Sequence, residues 1–390
     1  MADHRFAERL GRLGSESAFE VLSRAKALEA EGKSIIHFEI GEPDFATPRN
    51  IVEAAKKALD RGFTHYATAQ GYLPFREAVV AYAQKYKGID CTTEEVVVVP
   101  GGKPVMFYTV LALVNEGDEV IYPNPGFPIY ESLIKFVGAT PVSIPLREEN
   151  DFRLDVAELK QKVTEKTKLV IINSPANPTG GMLTPEDIHG IADAIRGKGI
   201  YILSDEIYQR IVYRGSVKSI ASLPGMKDWT IVLDGVSKTY AMTGWRLGYG
   251  IMRQELAKKI TDLMINSNSC VAPFTQIAGI EALTGTQDAV AKMVEEFRKR
   301  REIIVDGLNS IKGIRCRKAD GAFYAFPNIK GTGMGSKAFA DFLLYRAGVA
   351  TLSGASFGSY GEGYLRLSYA TSIDQIEMAL ERIDKAVQHL

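Results

Sequence analysis

Lysine does covalent chemistry only when it can lose its charge, by desolvation or by forming an imine. Lys238 stands where that is possible. It follows a predicted strand at 230–233, in the small-residue loop Gly235-Val236-Ser237-Lys238-Thr239-Tyr240. Ser237 and the nearby Arg246 add a hydroxyl and a fork-shaped cation suited to a phosphate. An exposed turn lysine beside a structural arginine fits the same residues. A second predicted strand, 201–204, runs into Asp205-Glu206-Ile207-Tyr208. Asp205 at a strand's end would point into a crevice, where an acid can pair with a cationic ring nitrogen. Tyr208, one helical turn later, could reach a phenolate. The alternative is an N-cap aspartate with a packed tyrosine.

Two loops add to these. In Val99-Pro100-Gly101-Gly102-Lys103-Pro104 the glycines let backbone approach an anion, and Pro104 suits a first helical turn. The helix N–H groups then favour a phosphate, although a plain strand-to-helix turn is an equal reading. Asn173-Ser174-Pro175-Ala176-Asn177-Pro178-Thr179-Gly180 follows a buried strand at the edge where open α/β sheets bind ligands. Asn177 is there either a fixed amide or an Asx-turn residue. Two other segments, one Gly-rich and one ending like a P-loop, fail their patterns. Gly331-Thr332-Gly333-Met334-Gly335-Ser336 is not GxGxxG, and Glu31-Gly32-Lys33-Ser34 has Ala27 where a P-loop needs its first glycine.

The elements that must position these loops alternate. Mostly apolar runs at 95–99, 119–122, 169–173, 201–204, 230–233 and 249–252 read as strands covered on both faces. Helices are predicted at 104–114, 185–197 and 254–266, which makes the fold α/β with a mainly parallel sheet. After about residue 284 a long charged helix, 288–310, leads to strands 314–317 and 323–326, a helix 336–347, a strand 364–368 and a helix 373–389. The basic run Arg298-Lys299-Arg300-Arg301 is interleaved with glutamates and reads as a solvated helix face. A helix at 18–31, ended by Gly32, is expected to pack on this C-terminal unit.

A chain of 390 residues outgrows a single core, so one large and one smaller domain are expected. Lys+Arg and Asp+Glu both total 47, which leaves no general electrostatic grip on nucleic acid or anionic lipid. Any phosphate recognition must be local. Three scattered cysteines, Cys91, Cys270 and Cys316, read as buried thiols of a reducing compartment rather than a disulfide framework. The five histidines have no metal-ligand spacing. The first ten residues lack a signal-peptide core, and the longest apolar run, 105–114, is too short to span a bilayer. A soluble, cytoplasmic protein is expected.

Taken in order, these segments resemble the class I aminotransferases, pyridoxal 5′-phosphate (PLP) enzymes of fold type I. The resemblance rests on Gly41-Glu42-Pro43-Asp44-Phe45, Tyr66 with Gly71, Gly101-Gly102, the 173–180 segment, the 204–208 segment, Ser237-Lys238 through Arg246, and Arg366-Leu367-Ser368-Tyr369. It runs from about residue 15 to the C-terminus. It implies a large PLP-binding domain, 46–285, a smaller α+β domain, 286–390, and an N-terminal arm, 1–45, partly in the small domain. Lys238 would be the Schiff-base lysine and move the proton between Cα and C4′. Asp205 would pair with the pyridinium nitrogen, while Tyr208 and Asn177 would bond the ring oxygen. Ser237, Arg246 and the Gly101-Gly102-Lys103 turn would hold the phosphate, with Tyr66 reaching it from the partner in a homodimer. Phe127 would stack on the ring. Arg366 would bind the substrate α-carboxylate with Asn177 and the Gly41 N–H.

The implied reaction moves an amino group between an L-amino acid and a 2-oxo acid, with 2-oxoglutarate as expected acceptor. The distal side chain is less determined. Some relatives bind a second carboxylate with an arginine, but Asn266-Ser267-Asn268-Ser269-Cys270 carries none. Lys103 with Ser17 could serve a dicarboxylate such as aspartate, or Lys103 could sit by the phosphate or in solvent. Phe127, Tyr130 and Tyr324 leave room for aromatic or small apolar substrates. A β-lyase of the same fold would share this machinery. A PLP-binding transcription regulator would need a further DNA-binding domain, for which no room is expected.

Overall fold

Four consecutive valines, Val96 to Val99, are all buried, and they explain why a β-branched run becomes a strand covered on both faces. The structure is a computed structural model describing residues 6–14 and 17–390; residues 1–5 of the expected arm, His4 among them, and residues 15–16 lie outside the described residues. In chain order the first strands are β1 (Ile36–His37), β2 (Val96–Val99), β3 (Glu119–Asn124), β4 (Thr140–Pro145), β5 (Thr167–Asn173) and β6 (Tyr201–Asp205). They are followed by β7 (Thr230–Gly235), β8 (Gly248–Ile251), β9 (Tyr324–Ala325), β10 (Val349–Ala350), β11 (Leu352–Ser353) and β12 (Leu365–Ser368).

Seven of these form one sheet in the order β2-β8-β7-β6-β5-β3-β4. Neighbours are parallel except around β8, which runs antiparallel to both β2 and β7. Large apolar clusters lie against it, one containing Val98, Leu203 and Tyr249, another Ile121, Val170 and Ile202. A separate core forms around the helix Asp288–Ser310, where Phe297 and Ile304 meet Phe323, Leu365 and Ile376. The helix Ser17–Ala30 buries Val21, Ala25 and Leu28 against Leu344, Leu352 and Phe357 of the C-terminal unit. Among the described residues no helix is long and apolar enough to cross a membrane.

Several expectations from the sequence are corrected. Strand β4 carries Pro141 and Pro145 and escapes pattern reading; it lies at the edge of the sheet, where missing N–H groups are tolerated. The segment 314–317 is no strand. It makes one isolated bridge, Arg315 to Asn328, because the side chain of Asn309 takes both backbone groups of Cys316, at 2.8 and 2.9 Å. The basic run of the long helix is only partly solvated. Arg300 is buried and donates to Asp44 at 2.7 Å, and Arg301 donates to the Ala319 carbonyl at 2.8 Å. Cys270 is half-buried rather than buried.

The close crossing of β8 with the Gly101 turn ties the sheet to the site. A Cβ on Gly248 would lie 2.7 Å from the carbonyl carbon of Gly101 and 2.8 Å from the nitrogen of Gly102. Backbone cannot retreat as a side chain does. Gly248→Ala is therefore expected to cost about 1–3 kcal/mol, measured as a lowered urea midpoint at unchanged slope.

Candidate active site

Parallel strands in register end at one edge. Asn173 of β5 lies beside Asp205 of β6, and Asp205 beside Leu233 of β7, so the loops after all three strands open together. There they line a cavity of about 360 Å³ with Gly102, Lys103, Phe127, Asn177, Asp205, Tyr208, Ser237, Lys238, Arg246 and Arg366, joined by Gly41 and Tyr324. All of the first ten are among the fourteen residues expected at the site from sequence, and Gly41 is an eleventh.

Lys238 is half-buried, and its Nζ donates to the Gly41 carbonyl at 2.6 Å. That bond joins the β7 loop to the Gly41-Glu42-Pro43-Asp44 segment. A Cβ on Gly41 would lie 2.2 Å from Tyr324 Oη, so the residue must be glycine for the tyrosine to close the wall. Asp205 is fully enclosed. Tyr130 Oη donates to its Oδ2 at 2.7 Å and the Ile207 N–H to its Oδ1 at 3.3 Å. Burial outweighs these neutral donors and, with Asp234 and Glu206 nearby, pushes the carboxyl up to about 6. Tyr208 lies in a turn after β6, not in the helix expected there, and its hydroxyl bonds that of Tyr324 at 2.7 Å. Burial holds the Tyr208 phenol far above its ordinary range.

Asn177 follows β5 in a loop fixed by Asn173, whose amide donates to the Asp205 carbonyl at 2.9 Å and accepts from the Asn177 N–H at 2.8 Å. Arg366, on β12, is buried. It donates to Asn177 Oδ1 at 3.4 Å and to the Glu39 carbonyl, and its guanidinium packs over the Tyr324 and Phe357 rings at 4.8 and 5.1 Å. The helix Lys103–Leu113 begins at the glycine turn with Pro104 in its first turn, so its N–H groups face the cavity's edge. Gly101 has φ +80°, and a Cβ there would lie 2.1 Å from Arg246 Nη2. Arg246 donates to the Thr243 and Pro100 carbonyls at 2.8 and 3.3 Å and stays exposed. Lys103 Nζ stands 5.4 Å above the Phe127 ring.

Three expected residues stand outside the lining. Gly101 is behind it, against Arg246. Ser17 opens the helix whose next residues, Ala18 and Phe19, line the cavity. Tyr66 is 90% exposed and contributes nothing to the cavity of its own chain. Sequence reasoning missed the bond of Tyr130 to Asp205 and the pairing of Tyr324 with Tyr208. The first had one weak signal, the placing of Tyr130 three residues after Phe127, in the first turn of the helix Ile129–Phe136.

A mainly parallel α/β sheet whose strand ends gather a lysine, a buried acid and a helix start, with a buried arginine from β12 in the same cavity, brings together the groups that amino-group chemistry needs. Residues 33–383 match the family Aminotransferase class I and II, and the chain belongs to that family, whose members depend on PLP. It is 43% identical to an aspartate aminotransferase of Pyrococcus horikoshii, over 98% of this chain and 97% of that one. It is 39% identical to an aromatic-amino-acid aminotransferase of Thermococcus litoralis, over 98% of both. Among solved structures, the aspartate aminotransferase of Thermus thermophilus with maleate superposes at a TM-score of 0.95, with 32% identity over 98% of this chain and all of the other.

The buried Asp205 gives a pH-dependent prediction for the cofactor-free protein. Its folded carboxyl titrates near 6 against an ordinary 3.8, so the native state holds a proton that the unfolded chain releases. Stability therefore falls as pH rises through that window, by about 3 kcal/mol in all. Asp205→Asn removes the titration. Cofactor-free Asp205→Asn should melt above the wild type at pH 8, with the gap closing below about pH 4; a gap independent of pH would refute the assignment.

Proposed function

We propose that this aminotransferase binds PLP at the β5–β7 strand ends and moves the amino group of L-aspartate to 2-oxoglutarate, tolerating aromatic and small apolar donors. The observation that carries the reading is one cavity with Lys238, the buried Asp205 and Arg366 on its walls. The residues fit the cofactor. An enclosed carboxyl pushed upward by burial suits a protonated ring nitrogen, and the Gly101 turn with the following helix start suits a phosphate.

Lys238 would hold the cofactor covalently, Asp205 its ring nitrogen, Tyr208 and Asn177 its ring oxygen, and Ser237, Arg246 and the Gly101-Gly102-Lys103 turn its phosphate. Phe127 would cover the ring face. PLP, when bound, supplies an electron sink that makes the substrate Cα–H acidic. Lys238 Nζ takes that proton and returns it, placed for the task by the loop after β7. Arg366 binds the α-carboxylate with Asn177 and the Gly41 N–H, which fixes the Cα–H toward Lys238. Enclosure by Tyr324, Phe127 and Arg366 excludes water from the reacting atoms.

The aspartate preference rests on Lys103 and the Ser17 helix at the cavity edge and on the aspartate aminotransferases among the relatives; the aromatic walls and the aromatic aminotransferase support the broader tolerance. We further propose a cytoplasmic homodimer in which the exposed Tyr66 completes the partner's phosphate site, and a division into an arm 1–45, a large domain 46–285 and a small domain 286–390.

Lys238→Ala is expected to abolish the absorbance of the lysine-bound cofactor and nearly all turnover; ordinary activity without an added amine would sink the assignment. For the side chain, kcat/KM is compared for aspartate, phenylalanine and alanine. Lys103→Ala should lower aspartate about tenfold, or 1.4 kcal/mol, and leave the other two within about threefold. An equal loss on all three returns Lys103 to the phosphate or to solvent.

A further inference from the structure

One residue beyond Asp205 and four before Lys238 lies a buried charged cluster that none of these roles uses, and none of its charged members lines the cavity. Lys87 is the last residue of the helix Leu73–Lys87, where the helix end favours a cation, and Gly88 closes that helix at φ +67°. Its Nζ donates to Glu206 Oε2 at 2.9 Å, to Asp234 Oδ2 at 2.8 Å and to Gln209 Oε1. All three ammonium donors are thus used. The side chains of Lys87, Glu206 and Asp234 are 0, 3 and 5% exposed.

The carboxylates are satisfied on their other sides as well. Glu206 Oε1 accepts from Ser204 Oγ at 2.9 Å and Ser219 Oγ at 2.6 Å. Asp234 Oδ1 accepts from the Gly235 N–H at 2.7 Å and Oδ2 from Tyr249 Oη at 3.1 Å. One ammonium therefore joins the residue after β6 to the penultimate residue of β7. Two carboxylates gathered on one cation repel each other as soon as the cation is removed.

We propose that Lys87 is a positioning residue for the reaction: it clamps the ends of β6 and β7 and so sets the spacing of Asp205 and Lys238. The inference rests on the reading that those two residues carry the chemistry. Burial opposes the charge of Lys87, but Asp234 and Glu206 outweigh it and hold the side chain cationic. Also facing the cluster are the Arg210 guanidinium, stacked 4.0 Å over the Tyr86 ring, the buried phenols of Tyr82, Tyr240 and Tyr249, and Asp205. Without Lys87, protonation of Asp234, whose carboxyl burial already pushes upward, relieves the repulsion at low pH. As pH rises that proton leaves, the carboxylates repel, and the strand ends part. The defect must therefore grow with pH.

The test compares the wild type, Lys87→Met and the charge-balanced double variant Lys87→Met/Asp234→Asn. Aspartate transamination is followed with pH, and melting is followed on the same proteins freed of cofactor. Lys87→Met should lose about tenfold in kcat near pH 9 and about threefold or less near pH 6, with KM within about threefold of wild type. Its cofactor-free melting temperature should fall against the wild type between pH 7 and about 9. The double variant should flatten both profiles. Loss equal at every pH and equal in both variants marks a merely structural lysine and overturns the proposal, as does wild-type behaviour of Lys87→Met at pH 9. Should Lys87→Met not fold, the double variant decides alone: folded with a flat profile it supports the clamp, unfolded or inactive it overturns it. A wild type that transaminates no amino acid overturns the functional reading instead, while the melting profiles still report on the clamp.

Discussion

Register between parallel strands is the constraint on which the site depends. Asn173, Asp205 and Leu233 lie side by side across β5, β6 and β7, so three loops that are far apart in sequence begin within two residues of one line. Sheet hydrogen bonds fix that line far more firmly than loop packing could, and each loop then needs to reach only a few residues. A one-residue slip of β6 would turn Asp205 to the opposite face of the sheet and expose the cavity to Ser204 or Glu206 instead. The buried runs on either side, such as Val96 to Val99 and Leu169 to Ile172, resist such a slip because both of their faces are packed.

The site gathers groups that are costly to hold in a protein interior. Asp205 is enclosed with neutral donors, Arg366 is buried under two aromatic rings, and a lysine with two carboxylates lies directly beyond. Buried charge is tolerated where partners are fixed before the ligand arrives, because reorganisation is then avoided during reaction. The neighbourhood accordingly uses glycine wherever a side chain would intrude. Gly41 admits Tyr324, Gly101 admits Arg246, and Gly248 admits the Gly101 turn itself. Rigidity here comes from close approach to backbone, by side chains at Gly41 and Gly101 and by backbone at Gly248.

Much of this was legible in the sequence, for identifiable reasons. Lys238 follows a buried strand in small residues, and the prolines and asparagines of the 173–180 segment mark a loop at a strand's end. The mainly parallel sheet follows from apolar runs without alternation. Other features leave no local trace. Lys85 and Lys87 are two residues apart on one helix; the first is exposed over Tyr86 and the second is wholly buried between strand ends. Only the docking of that helix decides which is which. The Tyr208–Tyr324 pair joins residues 116 apart, and no spacing rule reaches that far. Strand β4 was hidden by its prolines, and the strand expected at 314–317 does not form because an asparagine side chain competes for its backbone.

Burial also separates the parts of the cavity that are fixed from those free to vary. Arg366 is 4% exposed, and its guanidinium is held by Asn177 and Glu39. On the proposed reading, a carboxylate bound there would meet a fork-shaped, desolvated cation, which would make recognition of that end strong and the same for every amino acid. Lys103 is exposed at the cavity's edge, on a flexible stem above an aromatic ring. A charge so placed is screened by water and salt and attracts a second carboxylate only modestly, on the order of 1 kcal/mol. The same ring and stem offer apolar surface to a side chain without charge. Strict recognition of the common end beside weak recognition of the variable end would yield a site that prefers one class of amino acid without excluding the others.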